Sequence, residues 1–284
     1  MIFRTPKLRA MGLIALFFAF APASASQGLE PKPRVTVVAF GLHSDQNVFE
    51  SEAKGAARIV ANLFRGSSVI VRANTKSHAD ATIEALKATL QSAAAAMDGR
   101  NDILFLILTS HGSRAGLAVK AGTHQEVLSP SDLVTMLNNT LIRQRVVIIS
   151  ACYSGVFIRL LANPDTLVIT AADADHPSFG CKNGNEWTYF GDAFFNTALR
   201  RTGNVREAFA LASELIRKRE LQGGLSPSNP QMSGGEHLEP LLKDNLRRPT
   251  PNTSRRADLT SMHLFVHRDP FVGIKTTQKT AARD

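Results

Sequence analysis

Five short apolar, β-branched runs constrain this chain most: Arg34–Phe40, Ser68–Arg72, Ile103–Leu108, Val146–Ile149 and Thr166–Ala171. Each is too short for a core helix. None shows the apolar/polar alternation of a half-exposed strand, so both faces of each must be covered. Between them lie stretches with helical spacing, Val48–Phe64, Ala79–Met97, Ser131–Ile142 and Val156–Leu161, followed by Gly191–Arg201 and Val205–Glu220. Ser129-Pro130 supplies a helix entry ahead of the third. Strands alternating with helices imply parallel pairing through crossovers on the two faces. The expected fold class is therefore α/β, an open and mostly parallel β-sheet with helices on both faces, in a single domain. The residues between Gly112 and Pro130 have no helical period and read as a hairpin or lid beside the sheet. Gly223–Glu236 is turn-rich.

Charge would suggest a nucleic-acid partner until it is divided along the chain. The formal total is +9, of which +3 lies in residues 1–25 and +5 in 243–284, leaving +1 for residues 26–242. No basic stripe with interleaved aromatics remains there, so nucleic acid is not an expected partner. Residues 1–25 carry Arg4, Lys7 and Arg9 ahead of the apolar run Ala10–Ala21, then small residues at Ala23–Ser26. This is the pattern of a secretory signal cleaved after Ala25, and the run falls short of the roughly 20 apolar residues a span requires. The expected organisation is a signal peptide over 1–25, a folded domain over 26–242 and a basic extension over 243–284. The expected location is secreted or periplasmic, with no membrane span after signal removal. Met262–His267 reads as a possible edge strand.

Two of the buried runs open onto small polar residues. "LTSHGSRAG" places His111 and Gly112 after the third run, and "RVVIISACYSG" places Cys152 and Tyr153 after the fourth. In open α/β sheets, sites gather at the carboxyl ends of strands. If these two runs are neighbours, their ends lie roughly 5 Å apart. A thiolate at Cys152 could then attack a carbonyl while His111 moves the proton. Gly112, without a side chain, would let its N–H join that of Cys152 in an oxyanion hole. A helix beginning after Cys152 would favour the thiolate through its positive end.

The order and context of "SHGS", "SACYSG", "TAADADHPSFGC" and "WTYFGDAFF" resemble the caspase-like cysteine peptidases, and within them the legumain-type family of asparaginyl endopeptidases and glycolipid-anchor transamidases. The resemblance covers roughly Val35 to Gly235. It implies a caspase-like fold, a secreted cysteine endopeptidase acting on peptides or proteins, and no cofactor. It also implies a His111–Cys152 dyad with Gly112 as oxyanion donor, and Asp192 and Ser178 at the pocket for the residue before the scissile bond. Legumains carry Asn, an Arg–His pair and Gln after the first strand, where this chain has Leu42, Ser44, Asp45 and Gln46. They carry Glu after the nucleophile, where this chain has Tyr153. The acid Asp192, lacking that Arg and with Asp45 nearby, would leave the pocket net negative and favour cleavage after Arg, Lys or Asn.

Two other readings stand beside this one: a metacaspase-like peptidase specific for Arg or Lys, and a non-catalytic secreted α/β module held by a Cys152–Cys181 disulfide. The remaining histidines, His43, His78, His124, His176, His237, His263 and His267, lack the paired spacing of metal ligands and read as ordinary packing or surface residues. Oligomeric state leaves no signature.

Overall fold

The chain is described by a computed structural model covering Met1, residues 32–64 and residues 67–246. The rest of the expected signal, the basic linker from Arg247 and the stretch Met262–His267 lie outside the described residues.

The five apolar runs form strands β1 (Val35–Gly41), β2 (Ser68–Ala73), β3 (Ile103–Thr109), β7 (Gln144–Ser150) and β8 (Thr166–Thr170). With β9 (Gln231–Ser233) they make a sheet in the order β2-β1-β3-β7-β8-β9, parallel except for β9. The remaining strands, β4 (Gly112–Ser113), β5 (Gly116–Ala121) and β6 (His124–Leu128), form the antiparallel flap expected between Gly112 and Pro130.

The inner strands β1, β3, β7 and β8 are covered on both faces, whereas β2, expected to be covered likewise, is an edge strand that leaves Ser68 and Val69 exposed. Odd-numbered side chains of β1 and β3, such as Val37, Phe105 and Ile107, pack toward helix α1 (Val48–Leu63). Even-numbered ones, such as Val38, Leu106 and Leu108, pack on the opposite side with Leu86 and Leu90 of α2 (Ile83–Ala95) and Leu133 and Leu137 of α3 (Pro130–Asn138). This is the period of two of a pleated strand with both faces buried. Thr82 and Ser129 cap α2 and α3, each accepting a backbone N–H three residues on, and Pro130 occupies the first turn of α3, where no donor is required.

Three expectations need correction. Cys152 is followed not by a substantial helix but by a single 3-10 turn, Ser154–Phe157, and the four-residue α4 (Ile158–Leu161), too short to develop much of a macrodipole. The stretch 189–202 is α5 (Tyr189–Gly191), a π-helix over Asp192–Leu199, and α6 (Arg200–Thr202). The wider turn lets two successive residues, Phe194 and Phe195, both be fully buried, with Phe194 stacked on Phe190 at 5.4 Å. Finally, helix α8 (Leu238–Asn245), which follows α7 (Val205–Gln222), runs through the expected boundary at residue 242. Its last residue, Asn245, donates to the carbonyl of Pro33 at 2.5 Å, so the folded unit extends past Leu242.

Candidate active site

The register of the central strands determines what can meet at their carboxyl ends. Thr109 of β3 lies opposite Ser150 of β7, and the N–H of Ser110 donates to the Ser150 carbonyl at 3.2 Å. His111 and Cys152 each follow their member of this pair by two residues, so the two loops leave the sheet side by side. Gly112 permits the approach. A Cβ there would collide with the backbone carbonyl of Cys152 and lie 3.1 Å from the Cβ of Ala151. Beyond Cys152 the chain reverses at Tyr153, a non-glycine residue with φ of 56°, whose N–H is held by the carbonyl of His176 at 2.9 Å. The Tyr153 ring lies beneath the guanidinium of Arg114.

Each side chain of the pair has its own support. The Cys152 sulfur receives the backbone N–H of Ser178 at 3.3 Å and its hydroxyl at 3.7 Å, and faces the Ser178 carbonyl at 3.4 Å. The imidazole of His111 places Nε2 2.9 Å from Oε1 of Gln46. An amide oxygen only accepts, so this contact puts the proton on Nε2 and leaves Nδ1 as the basic nitrogen. The rings of His43 and Phe49 meet His111 edge-on, with centroids 4.7 and 5.0 Å away. Burial holds the His111 pKa below the ordinary 6.5, opposed by the charge of Asp45. Burial, and then His111 itself, do the same to His43. Among the described residues, no hydrogen bond joins the imidazole to the thiol.

His43 and the orienting role of Gln46 were not legible in the sequence. Leu42, which the resemblance sets where legumains carry Asn, is fully buried, while Gln46, four residues on, reaches the imidazole.

The expected uncompensated acids are both paired. Asp45 meets Lys120 of β5 at 2.6 Å, and Asp192 meets Arg219 of α7 at 3.3 Å. Asp192 also accepts from Asn196 at 2.9 Å, and Arg219 stacks on Tyr189 with its guanidinium carbon 3.7 Å from the ring centroid. The cleft of about 350 Å³ beside Phe179 and Tyr189 carries Lys182 and Arg219 and no acid. Neither acid that was expected to make the pocket net negative is therefore without a cation. Asp192 found a cation in a helix remote in sequence, which no local pattern announces.

Cys152 and Cys181 are both free thiols, so the disulfide of the alternative non-catalytic module is not part of this structure. Among the described residues, no group of three or more His, Cys, Asp or Glu side chains is placed to hold a metal, and no helix is long and apolar enough to cross a membrane.

The family profile described as Peptidase C13 matches residues 65–237, more than half of the 284-residue chain. The chain belongs to the peptidase C13 family. That is the legumain family, so this C13 member is a cysteine-type peptidase whose substrates are peptides or proteins. Its fold is similar to the crystal structure of caspase-1 from Spodoptera frugiperda, with a TM-score of 0.51 at 16% identity over 72% of this chain and 86% of that one. The caspase-like architecture of the C13 chain follows from that likeness and from its parallel sheet. No curated protein matches it closely enough to count as a relative.

Proposed function

We propose that this C13 peptidase is a secreted endopeptidase whose nucleophile is Cys152 and whose proton carrier is His111. The observation that carries the reading is the Thr109–Ser150 register, which sends the imidazole and the thiol from adjacent strand ends while Gln46 and Ser178 hold them separately.

The chemistry follows from those positions. Nδ1 of His111 takes the thiol proton, directly or as substrate brings the groups together, since catalytic hydrogen bonds tighten in the substrate complex. The thiolate forms a C–S bond to the scissile carbonyl carbon, whose π electrons move onto oxygen. The N–H groups of Gly112 and Cys152 receive that oxyanion. On collapse the C–N bond breaks and the amine leaves with the proton from imidazolium. Water, deprotonated by His111, then attacks the thioester, releasing the acid and restoring the thiol. Ser178, beside the sulfur, and Tyr153 line the approach of the substrate, with Asp45 and Asp192 paired at its margins. Secretion rests on the signal pattern of residues 1–25, and the peptidase domain is read as extending from Ser26 through α8.

Cys152→Ala in the full-length chain tests this. Hydrolysis of a proteome-derived peptide mixture should vanish while the melting temperature stays near that of the parent; cleavage at the parental rate would place the nucleophile elsewhere.

A further inference from the structure

Beneath the strand ends lies a carboxylate that the reaction above does not use. Glu52, on α1, is wholly buried among apolar neighbours that include Phe49, Ala53 and Ala56. Its Oε1 accepts from the hydroxyl of Thr109 at 2.9 Å, and its Oε2 accepts from the backbone N–H of Thr188 at 2.8 Å. The hydroxyls of Ser150 and Thr188, 3.1 Å from each other, stabilise its charged form as well. No cation among the described residues forms an ion pair with it.

We infer that Glu52 is a positioning residue: its carboxylate ties the last side chains of β3 and β7 to the backbone of Thr188, and so sets the separation at which His111 and Cys152 meet a substrate. The inference rests on those two being the dyad. Thr109 and Ser150 are the register partners from which the two loops depart. Thr188 caps the turn that leads into Asp192, its hydroxyl oxygen accepting the N–H of Gly191 at 2.9 Å while its own backbone N–H donates to Glu52. One carboxylate thus joins three segments that share no local sequence.

A stability role alone is a poor account of this group. A buried carboxylate without a cation is costly, and a well-packed apolar residue beside β3 would serve the fold better. The surroundings are nonetheless shaped for it: Gly191 has no side chain where a Cβ would strike the Glu52 carboxylate. Burial pushes the Glu52 pKa upward, and the hydroxyl and amide donors oppose it. A set of donors facing one acceptor fixes distances more tightly than apolar packing, and small displacements of reacting groups have large effects on rate.

The test uses the full-length chain and two quenched-fluorescent peptides that differ only in carrying Asn or Arg before the scissile bond. Glu52→Gln keeps the shape but sets an NH2 group against donors. With kcat referred to active sites titrated by a thiol-reactive probe, so that unfolded protein is not counted, it should lower kcat by about tenfold or more while KM changes by less than about threefold, a split that weaker substrate binding would not give. Because Glu52→Gln could fail to fold, Thr109→Val and Ser150→Ala are measured beside it. Each removes one hydroxyl and should lower kcat by about threefold or more at unchanged KM. Parental kcat in Thr109→Val and Ser150→Ala, or losses that only track a lower melting temperature, would overturn the inference. Cys152→Ala separates the two levels: activity in that variant removes the dyad itself, whereas an inactive Cys152→Ala with fully active Thr109 and Ser150 variants removes only the role of Glu52.

Discussion

Oε1 of Gln46 lies 2.9 Å from Nε2 of His111, and this single contact decides which nitrogen of the ring is free to act as a base. Gln46→Leu removes the acceptor without adding charge, so the ring can flip and the wrong tautomer can form. We predict a loss of roughly 1–3 kcal/mol in kcat/KM, the scale of one well-made hydrogen bond to a reacting group. Gln46→Glu would fix the ring again but raise its pKa. It should recover part of the rate with its acid limb moved to higher pH, and a pH–rate series on the two variants checks both statements.

Gly112→Ala addresses the approach of the two loops. The added Cβ meets the Cys152 carbonyl and the Ala151 side chain, so one loop must retreat. The expected outcome is a fall in kcat of about tenfold or more, as small displacements of reacting groups cost rate steeply. Thermal melting should drop as well, because backbone cannot swing aside as a surface side chain can. A variant with parental kinetics would show that the loops do not need this closeness.

The histidine shifts give a pH dependence of stability. His111 and His43 both have folded pKa values below 6.5, with burial as the leading cause. When pH falls below 6.5, the unfolded chain binds protons first, so unfolding takes up protons and stability declines until the folded values are reached. Above 6.5 this contribution is fully present. Denaturant midpoints should therefore fall between pH 7.5 and pH 5.5, and His43→Phe should flatten part of that slope. An unchanged slope in His43→Phe would assign it to other groups.

Asp192 bears on substrate choice. Its pairing with Arg219 is exposed, and surface ion pairs are worth about 0–1 kcal/mol. Asp192→Asn should therefore change the preference between matched Arg and Asn peptides by less than about fivefold. A much larger loss confined to the Arg peptide would restore Asp192 as the acid that reads the substrate.

The sheet was legible because every central strand is a continuous apolar run, and a run of that kind has few ways to be satisfied. The placement of His111 and Cys152 was legible for the same reason, since each run ends where small polar residues begin. The flap was legible only as a region without helical period. Gln46, His43 and Glu52 were not legible, because each acts across the fold on a residue tens of positions away and none sits in a repeating pattern. The π-helix over Asp192–Leu199 escaped as well: a single extra residue per turn shifts the apolar face too little for spacing to reveal. The ion partners of Asp45 and Asp192 lie in β5 and α7, so a pocket charge summed from nearby sequence omitted both cations.

The central claim, that Cys152 carries the reaction, is tested most directly by alkylation with iodoacetamide at pH 7. Burial pushes the Cys181 thiol up to about 12, so it stays protonated and slow to react. Peptide mapping should place one carbamidomethyl group on Cys152, with peptidase activity falling in proportion to its occupancy and Cys181 unlabelled. Activity that persists with Cys152 fully alkylated would contradict the account.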